Sequence, residues 1–180
     1  MIAEETLVRE LKDKETQSRA FEILVHTYKE RLYWHIRRIV LNHDDADDVL
    51  QNTFIKVYKN IAGFKGDSKL YSWMCRIATN ESLSFLNKKS KKLGLSDGEY
   101  QSKMITDLQA DVYFEGDEIQ LKLQKAIASL PEKQKLVFNM KYFDELKYEE
   151  ISEILDTSVG GLKASYHLAV KKVEGYLKSL

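Results

Sequence analysis

Lys163, Ser165, His167 and Lys171 fall two and four residues apart in a stretch whose apolar residues keep to other positions. Leu162, Tyr166, Ala169, Val170 and Val173 recur at three- and four-residue steps, the pattern of a helix with one buried face. Just upstream, Ile151, Ile154 and Leu155 give a shorter helix its own apolar side. Asp156, Thr157 and Ser158 then supply turn chemistry and a hydroxyl able to cap the next helix. Two helices joined this way read as a helix-turn-helix, whose second member packs its apolar side while laying polar side chains in a DNA major groove. There a Lys or a neutral His can donate to guanine O6 or N7. The same pattern also suits an ordinary helical hairpin inside a bundle.

A second group with chemical potential lies near the middle of the first half. Asp44, Asp45, Asp47 and Asp48 open a helix whose outward side carries Asp45, Asp48, Gln51, Asn52, Ile55 and Lys59. Carboxylates there can pair with arginines of a partner, and Ile55 gives the patch apolar area to desolvate. Acids at a helix start also favour the helix itself, so a merely solvated helix end reads equally well. After it, Phe64, Lys65, Gly66, Asp67 and Ser68 form a loop, with turn residues at Gly66 and Asp67. Tyr71, Trp73, Arg76 and Asn80 follow on a helix. Aromatic faces and amide or hydroxyl groups of this kind can hold unstacked bases, although Trp73, at helical spacing with Ile77, also fits a core position.

The elements that position these groups are helical throughout. Thr16 to Leu41 carries a buried stripe of Phe21, Leu24, Val25, Tyr28, Leu32, Ile36 and Ile39. Ala46, Leu50, Thr53, Phe54, Val57 and Ile61 line the next helix, which ends near Gly63. A helix from Leu70 to about Lys91 follows, with a break expected near Asn80, and ends in Lys88, Lys89, Lys91 and Lys92. Residues 93–116 hold three glycines and no sustained period, with at most a helical turn around 105–108. Helices resume at 117–129, at 132–143 after the single proline, Pro131, in a first-turn position, at 147–155 and at 158–178. The expected fold is all-α: two small helical domains, 1–92 and 117–180, joined by an acidic flexible linker, 93–116, with the helix-turn-helix in the second.

Charge follows the same division. Over 180 residues, 28 basic side chains balance 28 acidic ones. Residues 1–92 carry 17 basic and 13 acidic side chains, 93–118 one and seven, and 119–180 ten and eight. Two mildly basic pieces therefore flank an acidic connector. A general nucleic-acid binder shows a larger basic excess, so weak unaided DNA binding is expected. No stretch approaches the roughly 20 apolar residues that span a bilayer, and Met1 to Thr6 lack the features of a secretion signal. A cytoplasmic protein without membrane insertion is expected. Cys75, the single cysteine, cannot form an internal disulfide; its apolar run fits a buried thiol better than a redox sensor.

Two stretches taken together resemble the bacterial RNA polymerase sigma factors of the extracytoplasmic-function group. One runs from Asp45 through Gln51, Phe54 and Tyr58, on through Phe64–Ser68, to Trp73, Ile77, Ala78 and Asn80. The other runs from Ser129, Leu130 and Pro131 to the helix-turn-helix that begins at Tyr148. The order and the connector fit as well, so the likeness covers nearly the whole chain. It implies a factor that binds core RNA polymerase and promoter DNA and directs promoter-specific initiation, with an anti-sigma factor as a further partner. On that likeness Asp45, Asp48, Gln51, Asn52 and Ile55 dock on the polymerase. Phe64, Lys65, Gly66, Asp67, Ser68, Arg76 and Asn80 engage the promoter element near −10. Lys163, Ser165, His167 and Lys171 engage the element near −35. Gly161, Ala164, Ser165, Leu168 and Val170 stand where such proteins commonly carry Ser, Thr or Arg, so their base preferences do not transfer.

Other functions fit less well. A stand-alone, dimeric helix-turn-helix regulator would need neither the Asp-rich helix nor the acidic connector. His43 and Asp44 resemble the His-Asp pair of metal-dependent phosphohydrolases, but a metal site needs further convergent ligands, and the four histidines are His26, His35, His43 and His167. No Gly-rich phosphate loop, paired cysteines or nucleophile–base set is present in the sequence, so no enzyme activity, metal or cofactor is expected. As a coil, the 24-residue linker would span roughly 25–30 Å, and about 80 Å fully stretched. Two promoter elements about one and a half helical turns apart lie roughly 50 Å from each other, so a working complex requires the linker to be held extended.

Overall fold

The computed structural model describes residues 3–111 and 117–179. Among them every regular element is helical. Helix α1 (Glu4–Lys12) buries Leu7 and Leu11, and α2 (Gln17–Val40) ends where Leu41 turns left-handed and returns its N–H to Arg37. The α1 helix was not anticipated; Leu7, Val8 and Leu11 carry its period, but nine residues make a short signal. Asn42 caps α3 (His43–Asn60) by accepting from the Asp45 N–H at 3.0 Å. A 3-10 turn, Ile61–Gly63, leads into the Phe64–Ser68 loop. There Gly66 takes a φ of +81°, which a side chain would strain.

Helix α4 (Leu70–Leu93) runs unbroken through Asn80, contrary to the expected interruption. Ser82 lies in its middle and bonds back to the Ala78 carbonyl at 2.8 Å, so this hydroxyl is satisfied within the helix. Gly94, left-handed, stops it. The connector also differs from expectation. Ser96 and Glu99 form a reciprocal capping box that starts α5 (Asp97–Asp107), followed by a 3-10 turn at Leu108–Ala110. Tyr100 and Leu108 are buried, and Gln101 donates to the Ala128 and Leu130 carbonyls at 2.7 and 3.2 Å. Arg37 and Asp111 form an ion pair that ties this segment to α2. The last part of the expected linker, 112–116, lies outside the described residues.

Helices α6 (Glu118–Ala128), α7 (Glu132–Tyr142), α8 (Tyr148–Leu155) and α9 (Val159–Lys178) complete the chain. Ala126, Ile127, Leu130, Phe138, Ala169 and Val173 form a core of their own. The larger core does not stop at the connector. Val137, Met140, Leu146, Ile151, Ile154 and Leu162 are buried in the same cluster as Leu32, Ile36, Met74, Cys75 and Ala78. The α7–α8 corner is therefore packed directly onto α2 and α4, so the larger core runs across both halves. Cys75 is buried, and that burial pushes its thiol well above the usual range, as expected of an inert core cysteine.

Candidate nucleic-acid interface

On α3 the period of the buried residues decides what faces outward. Ala46, Val49, Leu50, Thr53, Phe54 and Val57 point inward, leaving Asp48, Gln51, Asn52 and Ile55 exposed on one surface. Ile55 is 50% exposed, and Tyr58 continues the patch at 39% while its ring packs edge-on against Phe21. Tyr58 was not among the expected docking residues, although it falls three residues after Ile55. Asp45 is a correction. It is only 8% exposed, and its carboxylate accepts from Lys89 of α4 at 2.7 Å. The first turn of α3 is thereby pinned to α4, and both Asp45 and Lys89 are occupied within the chain. Of the expected basic cluster, Lys88, Lys91 and Lys92 remain exposed.

The loop after α3 divides in the same way. Lys65, Gly66 and Asp67 are exposed and Ser68 is half-buried, but Phe64 is 4% exposed. Its ring lies against Trp73 with centroids 5.2 Å apart, and its carbonyl accepts from Lys12. Phe64 is thus an anchor that fixes the loop to α4, not the exposed ring that was expected to stack on a base. Burial of an apolar ring under Trp73 outweighs what an exposed ring could gain in the loop. Trp73 is half-buried in the large core, as its spacing with Ile77 allowed. Arg76 and Asn80 are exposed on α4 three and seven residues beyond Trp73, so all three share one side of the helix.

The helix-turn-helix has the geometry its sequence implies. Asp156 ends α8 in a left-handed conformation, and the Ser158 hydroxyl accepts from the Gly161 N–H at 3.2 Å to start α9. A Cβ added at Gly161 would meet that hydroxyl at 3.2 Å, so the glycine suits the cap. Leu162, Ala169 and Val173 are buried, whereas Lys163, His167 and Lys171 are exposed at four-residue steps and Ser165 is half-buried beside them. The Lys163 ammonium lies 5.8 Å from the centre of the Tyr148 ring, which holds the start of this polar stripe over α8.

A further set of polar groups, not anticipated from sequence, joins the two halves. Arg31, His35 and Arg38 lie on one side of α2 and converge on Asp144 in the turn after α7. His35 Nδ1 and an Asp144 carboxylate oxygen are 2.6 Å apart, and His35 Nε2 is 2.9 Å from the Thr79 hydroxyl of α4. An ionised carboxylate only accepts, so Nδ1 carries the proton. Arg31 donates to the Asp144 carbonyl at 2.9 Å, Arg38 approaches the carboxylate at 3.4 Å, and its guanidinium lies over the Phe143 ring at 4.3 Å. Beside this cluster, Ser72 donates to Glu150 of α8 at 3.1 Å and Lys69 pairs with it at 3.3 Å. Burial pushes the Glu150 carboxyl up, but the Lys147 amide, Lys69 and Ser72 together pull it below the usual carboxylate value. Lys135, on α7, is 5% exposed, and burial lowers its ammonium against the opposing pull of Glu132. Steps of four and three residues from Arg31 to His35 to Arg38 were the available signal, but nothing in sequence marks Asp144 as their common partner.

Among the described residues no group of three or more His, Cys, Asp or Glu side chains is placed to hold a metal ion, and no helix is long and apolar enough to cross a membrane. Among the described residues, an acid-rich helix face, a polar loop and a helix-turn-helix on one helical fold are the parts of a two-region transcription factor. Residues 24–92 match the family Sigma-70 region 2, and residues 120–173 match Sigma-70, region 4. The ECF RNA polymerase sigma factor SigW of Bacillus subtilis is 32% identical over 169 residues, covering 89% of this chain and 90% of its own. The RNA polymerase sigma-H factor of Pseudomonas aeruginosa is 29% identical over 178 residues, covering 90% and 88%. The same fold recurs in CnrH, solved with the cytosolic domain of CnrY, at a TM-score of 0.74, 18% identity and 99% coverage of both chains. It recurs also in RpoE of Bartonella quintana, solved with the anti-sigma factor NepR, at 0.69 and 20% identity, covering 88% of this chain and 96% of that one. The chain belongs to the extracytoplasmic-function group of RNA polymerase sigma factors.

Proposed function

We propose that this protein binds core RNA polymerase in the cytoplasm and directs initiation at promoters carrying two elements, near −10 and near −35. Residues 1–92 supply the polymerase contact and the −10 contact, residues 93–116 connect, and residues 117–180 supply the −35 contact. The observation that carries this reading is the pairing, in one chain, of the exposed Asp48–Gln51–Asn52–Ile55 face with the exposed Lys163–His167–Lys171 stripe. A stand-alone dimeric regulator has use for the second alone, and the region 2 match over 24–92 has no place in it. The polymerase performs the chemistry; this chain contributes recognition and strand-opening energy.

Docking falls to Asp48, Gln51, Asn52 and Ile55, with Tyr58 added to the patch. Lys65, Gly66, Asp67, Ser68, Arg76 and Asn80 face the opened −10 strand, where exposed bases can be held by hydrogen-bonding groups. Lys163, Ser165 and His167 face base edges of the −35 element, and Lys171 faces phosphate. Both solved likenesses were captured with a partner protein, one of them an anti-sigma factor, and we assign an inhibitor of that kind to this chain too. Gel filtration of the purified protein with core polymerase tests the central part of the reading. Co-migration at a defined stoichiometry is expected, and separate elution at micromolar concentrations would refute it.

A further inference from the structure

Among the described residues, Lys65, Gly66, Asp67 and Ser68 make no hydrogen bond or ion pair. The first three are exposed, and Gly66 is left-handed. A segment without bonds of its own takes its conformation from whatever fixes its two ends. Those ends are Phe64, where the 3-10 turn stops, and Leu70, where α4 starts. Both are buried.

Each end is held from α1. The Glu4 carboxylate accepts from the Leu70 N–H at 3.0 Å, and the Lys12 ammonium donates to the Phe64 carbonyl. Glu4 and Lys12 are the first and last residues of α1, roughly 12 Å apart along its axis at helical rise. The start of α4 shows why Glu4 is needed. Its N-cap residue, Lys69, has no side-chain acceptor, and its first turn carries no acid. Both the acceptor and the negative charge that favour a helix start come instead from a residue 66 positions earlier. Helix α1 is itself firmly placed. Leu7 and Leu11 are buried in the larger core, and Thr16 and Gln17 donate to the Glu10 and Leu11 carbonyls at 2.8 and 3.0 Å.

We infer that α1 is a positioning element for promoter opening, which rests on the reading that Lys65–Ser68 face the opened −10 strand. Glu4 and Lys12 clamp the two ends of the segment, so that the four residues between meet exposed bases already ordered. Both act through the loop and not on the DNA itself. Helix α1 lies before residue 24, where the region 2 match begins, so this support belongs to a part of the chain outside that match. A binding segment ordered beforehand loses less conformational freedom on contact. Removing both bonds should therefore slow capture of the opened strand roughly tenfold, leaving the outer face of α3 and the polar stripe of α9 unaltered.

The test compares the full wild-type chain with Glu4→Ala Lys12→Ala, both exposed sites. Backbone amide order parameters are measured on the free chain by nuclear magnetic resonance. The rate of open-complex formation is followed by permanganate footprinting with core polymerase, on a promoter that the wild type selects from randomised templates. In the wild type, residues 65–68 should be as ordered as rigid backbone, about 0.85, and in the double variant they should fall below about 0.6. Opening should slow roughly tenfold, with unchanged affinity for core polymerase. Glu4→Gln Lys12→Arg keeps an acceptor and a donor in place and should restore both readouts. Asp45→Ala, which loses its bond to Lys89 elsewhere in the same half, should leave both readouts near wild type, so general destabilisation is separated from positioning. Should the double variant fail to fold, Lys12→Ala alone frees the Phe64 end and should show the same two changes to a smaller degree. A disordered loop in the wild type, an ordered loop or undiminished opening in the double variant, or equal slowing in Asp45→Ala would each overturn the inference. A wild type that opens no template with core polymerase would instead sink the sigma-factor reading, and the order parameters would still decide whether α1 holds this loop.

Discussion

His35 and Asp144, 109 residues apart, sit with Nδ1 and a carboxylate oxygen 2.6 Å from each other in the interior. One belongs to the half that matches region 2, the other to the half that matches region 4. Their bond, with Thr79 on the far ring nitrogen, converts what would be two tethered domains into one body. Buried polar groups of this sort are costly unless fully paired, so the site specifies one relative placement of the halves and penalises others.

The outer face of α3 should carry polymerase affinity separately from stability. Asp48→Lys combined with Gln51→Ala should abolish co-purification with core polymerase while the thermal midpoint and helical content stay unchanged, since both side chains are exposed. Asp45→Ala should do the opposite. It removes the inward bond to Lys89 and should cost about 1 kcal/mol, or roughly 2–4 °C of midpoint, with polymerase affinity retained. Pull-down and calorimetry on the same preparations separate the two effects.

Phe64 should behave as a core residue. Phe64→Leu keeps an apolar anchor under Trp73 and should leave promoter opening near wild type at a stability cost below about 1.5 kcal/mol. Phe64→Ala should cost about 3–5 kcal/mol. Asp67→Ala, at an exposed loop position, should leave stability alone and impair open-complex formation, scored by permanganate footprinting. A Phe64→Leu protein that is stable yet fails to open promoters would restore a base-stacking role to this ring.

On α9, two kinds of loss are expected. Lys163→Ala or His167→Ala should change the ranking of −35 sequences, each lost base contact being worth about 1–3 kcal/mol. Lys171→Ala should weaken all sequences alike and lower the steepness of the salt dependence by about 0.9 in log–log slope. Selection from a randomised −35 library, repeated at two salt concentrations, scores both. An unchanged ranking in the Lys163 and His167 variants would remove this helix from the role of reader.

Lys135 gives a pH-dependent prediction. Burial lowers its ammonium pKa in the folded chain, so between that lowered value and the ordinary lysine value of about 10.4 the unfolded state binds more protons. Its penalty is therefore present in full below the folded value and disappears as pH rises toward about 10.4. Lys135→Met should be more stable than wild type at pH 7, by a few degrees in midpoint, and the gap should narrow as pH approaches 10. A gap independent of pH would mean that the gain comes from packing alone.

Much of the architecture was legible because amphipathic period is a strong local signal. The α2, α3 and α9 stripes, the Ser158 cap and the exposure of Asp48, Gln51, Ile55, Lys163, His167 and Lys171 follow from it directly. Asp45 and Phe64 were misplaced for a common reason. Each sits at the edge of a stripe, where the partner that draws it inward, Lys89 or Trp73, lies on α4, and sequence spacing within one helix does not show what another helix brings. The Ser96–Glu99 capping box was present in the sequence, yet acidic composition and the glycines around it masked a helix that is stabilised by Gln101 and Tyr100 reaching the neighbouring helices. The polar cluster around Asp144 was illegible for the same reason on a larger scale, since three polar side chains on one face of α2 announce a partner without naming it.

A sigma factor gives core polymerase a promoter preference that the polymerase lacks alone. The most direct measurement is multi-round transcription by purified core polymerase on a library with randomised upstream sequence, with and without the protein, followed by sequencing of the RNA-producing templates. The protein should enrich templates sharing two short motifs about one and a half helical turns apart, with a fixed start site downstream. Asp48→Lys with Gln51→Ala should lose both motifs together, whereas Lys163→Ala should alter only the upstream one. Enrichment indistinguishable from core polymerase alone, at protein concentrations that saturate binding, would rule out a promoter-directing role for this chain.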